Sequence, residues 1–196
     1  MTPEIRAFEF ALGLFSVLIG LAIADVATSF HRLMRARPGV RWDPLALLTA
    51  LFALAITVGM WFDLWGIRHA TSVRHFFLYI ALVTSFFLLF LIAAASLPDE
   101  VSEGVDLREF YAGNRRYFWT LVALFEITYV AFGAYFISGV MDQLPSAVLA
   151  IVISQWMVLV GVPAVLALVP SRAIHYAGVI LLFATVLWHY AHGVIT

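Results

Sequence analysis

Apolar positions along the chain collect into six long runs, separated by short stretches rich in Pro, Gly, Arg and Asp. A run of about 20 apolar residues covers about 30 Å of hydrocarbon as a helix. The runs predict spans over about 8–34, 44–67, 74–97, 115–138, 145–169 and 172–194. Pro38-Gly39 divides the first two spans, and Pro44 suits the opening turn of the second. Leu97-Pro98-Asp99-Glu100 ends the third, Asp142 to Pro145 precedes the fifth, and Pro170-Ser171 precedes the sixth. The expected fold is all-α: one domain over 1–196, a bundle of six transmembrane helices.

Within the first span, Ser16, Gly20, Ala24 and Thr28 recur every fourth residue and form one row of small side chains. Such rows let helices approach closely in lipid. The row predicts that the first span is the packing centre and offers a contact for a homo-oligomer. In the third loop, Leu107, Phe110, Tyr111 and Phe118 alternate with Arg108, Arg115 and Arg116. Two readings fit: a short interfacial helix over 106–116, or the first turns of the fourth span with snorkelling arginines.

Composition agrees with the pattern: 64% of residues are hydrophobic, 12% are charged, and the mean hydropathy is +1.00. The implied surroundings are a lipid bilayer. A net charge of −1 leaves no basic surplus for nucleic acid. Cys is absent, which excludes disulfides and thiolate metal sites. The eleven basic residues are all Arg, which excludes a lysine Schiff base and with it covalently bound retinal. Arg without Lys, beside abundant Ala, points to a bacterium with a GC-rich genome. The opening residues lack the basic region and short apolar core of a cleaved signal, so the first helix is expected to be retained.

Orientation follows from the arginines. Arg32, Arg35, Arg37, Arg41, Arg108, Arg115, Arg116 and Arg172 lie on one side, against Arg6, Arg68 and Arg74 on the other. The bias predicts a multi-pass protein of the bacterial inner membrane with both termini periplasmic.

Polar groups inside the spans carry the functional expectation, because each needs a partner in lipid. Glu126 lies ten residues beyond Arg116, about 15 Å into the membrane at 1.5 Å per residue. Gln155 reaches a similar depth from the opposite face, and Asp25 lies about one turn nearer the arginine-rich side. Glu126, Asp25 and Gln155 are therefore the candidate ion or proton pathway of a channel or transporter. The alternative for each acid is structural, bonding a neighbouring helix or pairing near Arg32.

A second constellation gathers at the arginine-poor face. His189 and His192 share a helix face near Asp63, His69, His75 and Glu9. That set admits a transition metal or a haem, and with it an oxidoreductase. His31 and His175 read as interfacial on the other side. Trp61, Trp65, Trp188 and Tyr190 fit one aromatic belt, and Trp42, Tyr117 and Trp119 the other. Pro163 with Gly161 predicts a kink in the fifth span. No nucleophile–base pair, Gly-rich phosphate loop or His-x-x-x-His motif marks a soluble-type enzyme. A third reading is a non-catalytic partner or assembly subunit that docks through the Asp99–Arg116 loop.

Overall fold

The structure, a computed structural model, describes residues 3–66, 76–101, 104–138 and 144–192, without the side chains of 3–11, 65, 66, 76–78, 136 and 192. Among the described residues the chain forms six helices: α1 (Pro3–Arg35), α2 (Pro44–Gly66), α3 (Phe76–Ser96), α4 (Leu107–Ser138), α5 (Ser146–Leu168) and α6 (Arg172–His192). Each contains a stretch long and apolar enough to cross a membrane. The chain is a multi-pass integral membrane protein built as an all-α bundle of six helices.

The helices surround a closed ring in the order α1, α3, α4, α5, α6, α2, and α2 also crosses to α3 and α4. The buried face of α1 is Phe15, Ile19, Ala22, Val26, Ser29 and Leu33. Those positions alternate steps of four and three, the seam of a left-handed coiled contact, and they pack on α3 and α2. The small row Ser16, Gly20, Ala24 and Thr28 lies off this seam, half-buried at Ser16 and exposed from Gly20 onward. The expected packing centre is thus corrected. Helix α2, in contact with α1, α3, α4 and α6, occupies the middle, and α1 turns its seam inward because large seam side chains bury more surface than a row without bulk.

Helix α4 runs unbroken from Leu107, so residues 107–116 are its first turns. Leu107 and Tyr111 are buried there, which draws this segment into the bundle. Asp106 caps it: its Oδ1 accepts the amides of Arg108 at 2.8 Å and Glu109 at 3.3 Å. A short bridge ties the cap to the first loop, with the Arg41 amide donating to Val105 at 2.8 Å and the Leu107 amide to Arg41 at 3.0 Å. The Glu109 amide, joined by the Arg108 amide and the Arg41 guanidinium, holds the Asp106 carboxyl below the usual carboxylate range. A depressed folded-state pKa contributes stability above the unfolded value of about 4 and loses it as pH falls through the folded value. Asp106→Asn, which still caps, is expected to flatten the acid limb of a melting-temperature profile, whereas Asp106→Ala lowers the melting temperature at neutral pH as well. Identical acid limbs for wild type and Asp106→Asn would refute this role.

The C-termini of α1, α3 and α5 meet at the arginine-rich end, where orphan carbonyls need donors. Asn114 Nδ2 donates to Ala95 at 2.5 Å, Arg115 Nη1 to Ala167 and Val169 at 3.2 Å each, and Arg32 Nη1 to Asp99 at 2.6 Å. Cations at these ends also complement the helix dipoles.

His175 is 1% exposed and Trp119 fully buried, so both turn into the bundle and neither faces its surface as an interfacial anchor would. His175 Nε2 lies 2.8 Å from the Val169 carbonyl, which only accepts. The proton is therefore on Nε2, and Nδ1 accepts the Tyr111 hydroxyl. That hydroxyl in turn accepts Trp119 Nε1 at 3.0 Å. One directed chain of hydrogen bonds thus links α4 to the α5–α6 junction.

Candidate functional site

The half of the bundle away from the arginine-rich end holds a cavity of about 480 Å³ between α2, α3, α4, α5 and α6. Its deepest lining residues along each helix are Ile56, Ser85, Phe125, Leu159 and Thr185, with Glu126 next to Phe125, and its open end is marked by the exposed Phe62 and His189. Below the floor lies an aromatic layer. Phe52 sits 6.0 Å from Trp119 and 5.7 Å from Phe183, ring centre to ring centre. Phe52 and Trp119 are fully buried, so the cavity ends blindly.

Two carboxyl groups face this space and differ in their surroundings. Asp63 Oδ2 accepts the Tyr190 hydroxyl at 2.9 Å and the Tyr129 hydroxyl at 3.2 Å, while His189 Nε2 lies 3.4 Å from Oδ1. Tyr190 reaches Asp63 because α2 has Gly59 at the crossing: a Cβ there would stand 2.5 Å from the tyrosine ring and hydroxyl. Glu126 is 3% exposed and has no hydrogen-bond donor among the described residues. It lies within electrostatic reach of Asp63. One turn further along α4, Tyr129 shares its face, and at the next turn Gly133 leaves room for the Trp156 ring, which would sit 3.2 Å from a Cβ there. The remaining polar lining is sparse. Ser85 Oγ donates to Ala81 at 2.9 Å and lies 3.0 Å from Thr128 Oγ1, and Thr185 donates to Leu181 at 3.0 Å. These hydroxyls are engaged largely by their own helices.

No known protein family, curated protein or solved structure matches the chain. The site is therefore read from its own chemistry.

Of the three candidate pathway residues, Glu126 and Gln155 meet in this cavity. Asp25 does not: it lies toward the arginine-rich end, near Asp99 and Arg32. The fifth span stays helical through Pro163, and Leu159, whose carbonyl loses its donor to that proline, lines the cavity floor. Of the candidate metal ligands, Asp63 and His189 are adjacent. His69 and His75, and the side chains of Glu9 and His192, lie outside the described residues. Among the described residues no group of three or more His, Asp or Glu converges as a metal site would require.

Sequence reasoning missed Tyr129, and read Tyr190 as part of an interfacial belt although it turns inward. Tyr129 follows Glu126 by three residues, a signal that was legible; the inward turn of Tyr190 depends on Gly59 of another helix and was not. Gly59→Ala is expected to push Tyr190 off Asp63 and to reproduce the functional loss of Tyr190→Phe without unfolding the bundle. A Gly59→Ala protein with wild-type activity beside an impaired Tyr190→Phe protein would refute that arrangement.

Proposed function

We propose that the protein is a transporter that moves protons or other cations across the bacterial inner membrane, with Glu126 as the group that exchanges its charge. The single observation that supports this is a carboxyl group buried near the inner end of a cavity, with no donor among the described residues. An ionised carboxylate there is costly unless something neutralises it. Glu126 therefore alternates between holding a proton and holding a cation. Asp63, supplied with donors from Tyr129, Tyr190 and His189, forms the entry side, and Gln155 is a neutral ligand within the same space.

The aromatic layer of Phe52, Trp119 and Phe183 favours a transporter over an open channel, since passage requires that layer to part. The arginine bias supports a periplasmic cavity mouth and periplasmic termini. Purified protein in liposomes carrying a trapped pH dye tests the reading. A pH step, with a compensating potassium potential and a cation supplied on the opposite side to exchange for protons, is expected to give proton flux above protein-free vesicles. Wild-type flux equal to the empty-vesicle leak, with and without added cations, would overturn it.

A further inference from the structure

The lining of the cavity narrows what cation it takes. A small inorganic cation wants a shell of several oxygens, six to eight for calcium. Here Ser85 and Thr185 are engaged by their own helices, and Asp63 already has three donor contacts. Glu126 and Gln155 are too few to replace a hydration shell. An anion would face two carboxylates with only His189 to oppose them. A sugar or other polar neutral compound would find most of the wall apolar.

What the wall does offer is aromatic faces. Phe125, Tyr129, Phe132, Trp156 and Tyr190 line the space around Glu126 and Asp63. Aromatic faces attract a cation most strongly when it is weakly hydrated and close to the ring. A volume of about 480 Å³ falls in the range that accepts a drug-sized molecule, about 300–1,000 Å³.

We infer that the cavity binds a hydrophobic monovalent organic cation, its apolar groups against the aromatic wall and its charge set against Glu126. This rests on reading Glu126 as the exchanging group and adds the class of its substrate. The exchange balances simply. The Glu126 carboxylic acid releases its proton to water as the cation arrives, and the carboxylate remains beside the bound cation. The ionisable groups facing Glu126 from the packed helices are Asp63 on α2, Tyr129 on α4, and His189 and Tyr190 on α6; α3 and α5 contribute the neutral Ser85 and Gln155.

The test uses wild-type protein in detergent, with tetraphenylphosphonium and tetraphenylborate as probes of nearly the same shape and opposite charge. Equilibrium dialysis is expected to show saturable phosphonium binding, about one proton released per cation in weakly buffered solution, and affinity that falls as pH is lowered. Tetraphenylborate is expected to bind at least about tenfold more weakly, a difference of about 1.4 kcal/mol. Glu126→Gln is expected to abolish the proton release, and Trp156→Leu to weaken binding without removing its pH dependence. Equal binding of the two probes, or no saturable phosphonium binding, would overturn the inference. If Glu126-dependent proton flux persists in that case, the transport reading survives without this substrate. Phosphonium binding with proton release but no flux in liposomes would instead retain the substrate and remove the transport reading.

Discussion

Glu126→Gln is expected to reduce proton flux in liposomes by at least about 100-fold, the order lost when a positioned proton-transfer group is removed. The substitution keeps shape and polarity and deletes only the exchangeable charge. Glu126 has no donor to lose among the described residues, so the folded state should change by no more than about 1 kcal/mol. Activity and stability are thereby separable: the variant should elute and melt like wild type while its flux falls to the lipid leak. Glu126→Asp shortens the side chain but keeps the acid, and should retain a measurable fraction of the flux. Wild-type flux in Glu126→Gln would mean that protons bypass the cavity floor.

The largest expected effect on stability lies at the other end of the molecule. Asp43 is 4% exposed, its Oδ1 is 2.5 Å from Arg172 Nη2, and its Oδ2 has no hydrogen-bond partner among the described residues. The arginine, 33% exposed at its side chain, also lies over the Tyr176 ring at 5.9 Å. Arg172→Ala strands a buried carboxylate, which costs about 3 kcal/mol, the low end for a fully buried pair because this arginine is partly wetted. Thermal unfolding in micelles should show a clear fall in midpoint. Adding Asp43→Asn should recover most of it, since a neutral amide carries no unpaired charge. Arg172→Lys should recover less than the double variant, because an ammonium lacks the planar fork. Equal midpoints for Arg172→Ala and the double variant would show that lost packing, and not a stranded charge, is responsible.

These two sites differ in how far they were legible in advance. Glu126 and Gln155 stood out because a polar side chain in an apolar run of membrane length has to be explained, and a rise of 1.5 Å per residue gives their depth. Asp25 satisfied the same criterion and belongs elsewhere, near Asp99 and Arg32. Depth does not tell which way a side chain faces. Asp43 precedes α2 and Arg172 opens α6; nothing local to either stretch says that they meet. His175 was read as interfacial for the same reason, since its hydrogen-bond partners come from α4 and from the Val169 carbonyl.

The seam of α1 teaches a related lesson. Both the small row and the Phe15–Leu33 seam were present in one stretch of sequence, each with helical spacing. Only the positions of α2 and α3 selected the seam as the buried face.

By itself the sequence determined that the chain crosses a membrane as six helices, where the helices break, and which end of the bundle carries the arginines. Hydropathy, span length and charge act residue by residue along one dimension, so a linear reading captures them. Only the tertiary structure decided that Glu126 and Gln155 share a cavity with Asp63, Tyr190 and His189, and that Asp25 does not. That outcome depends on the rotation of each helix about its axis and on the order of neighbours around the ring, which are set by the sum of many small packing contacts between segments far apart in the chain.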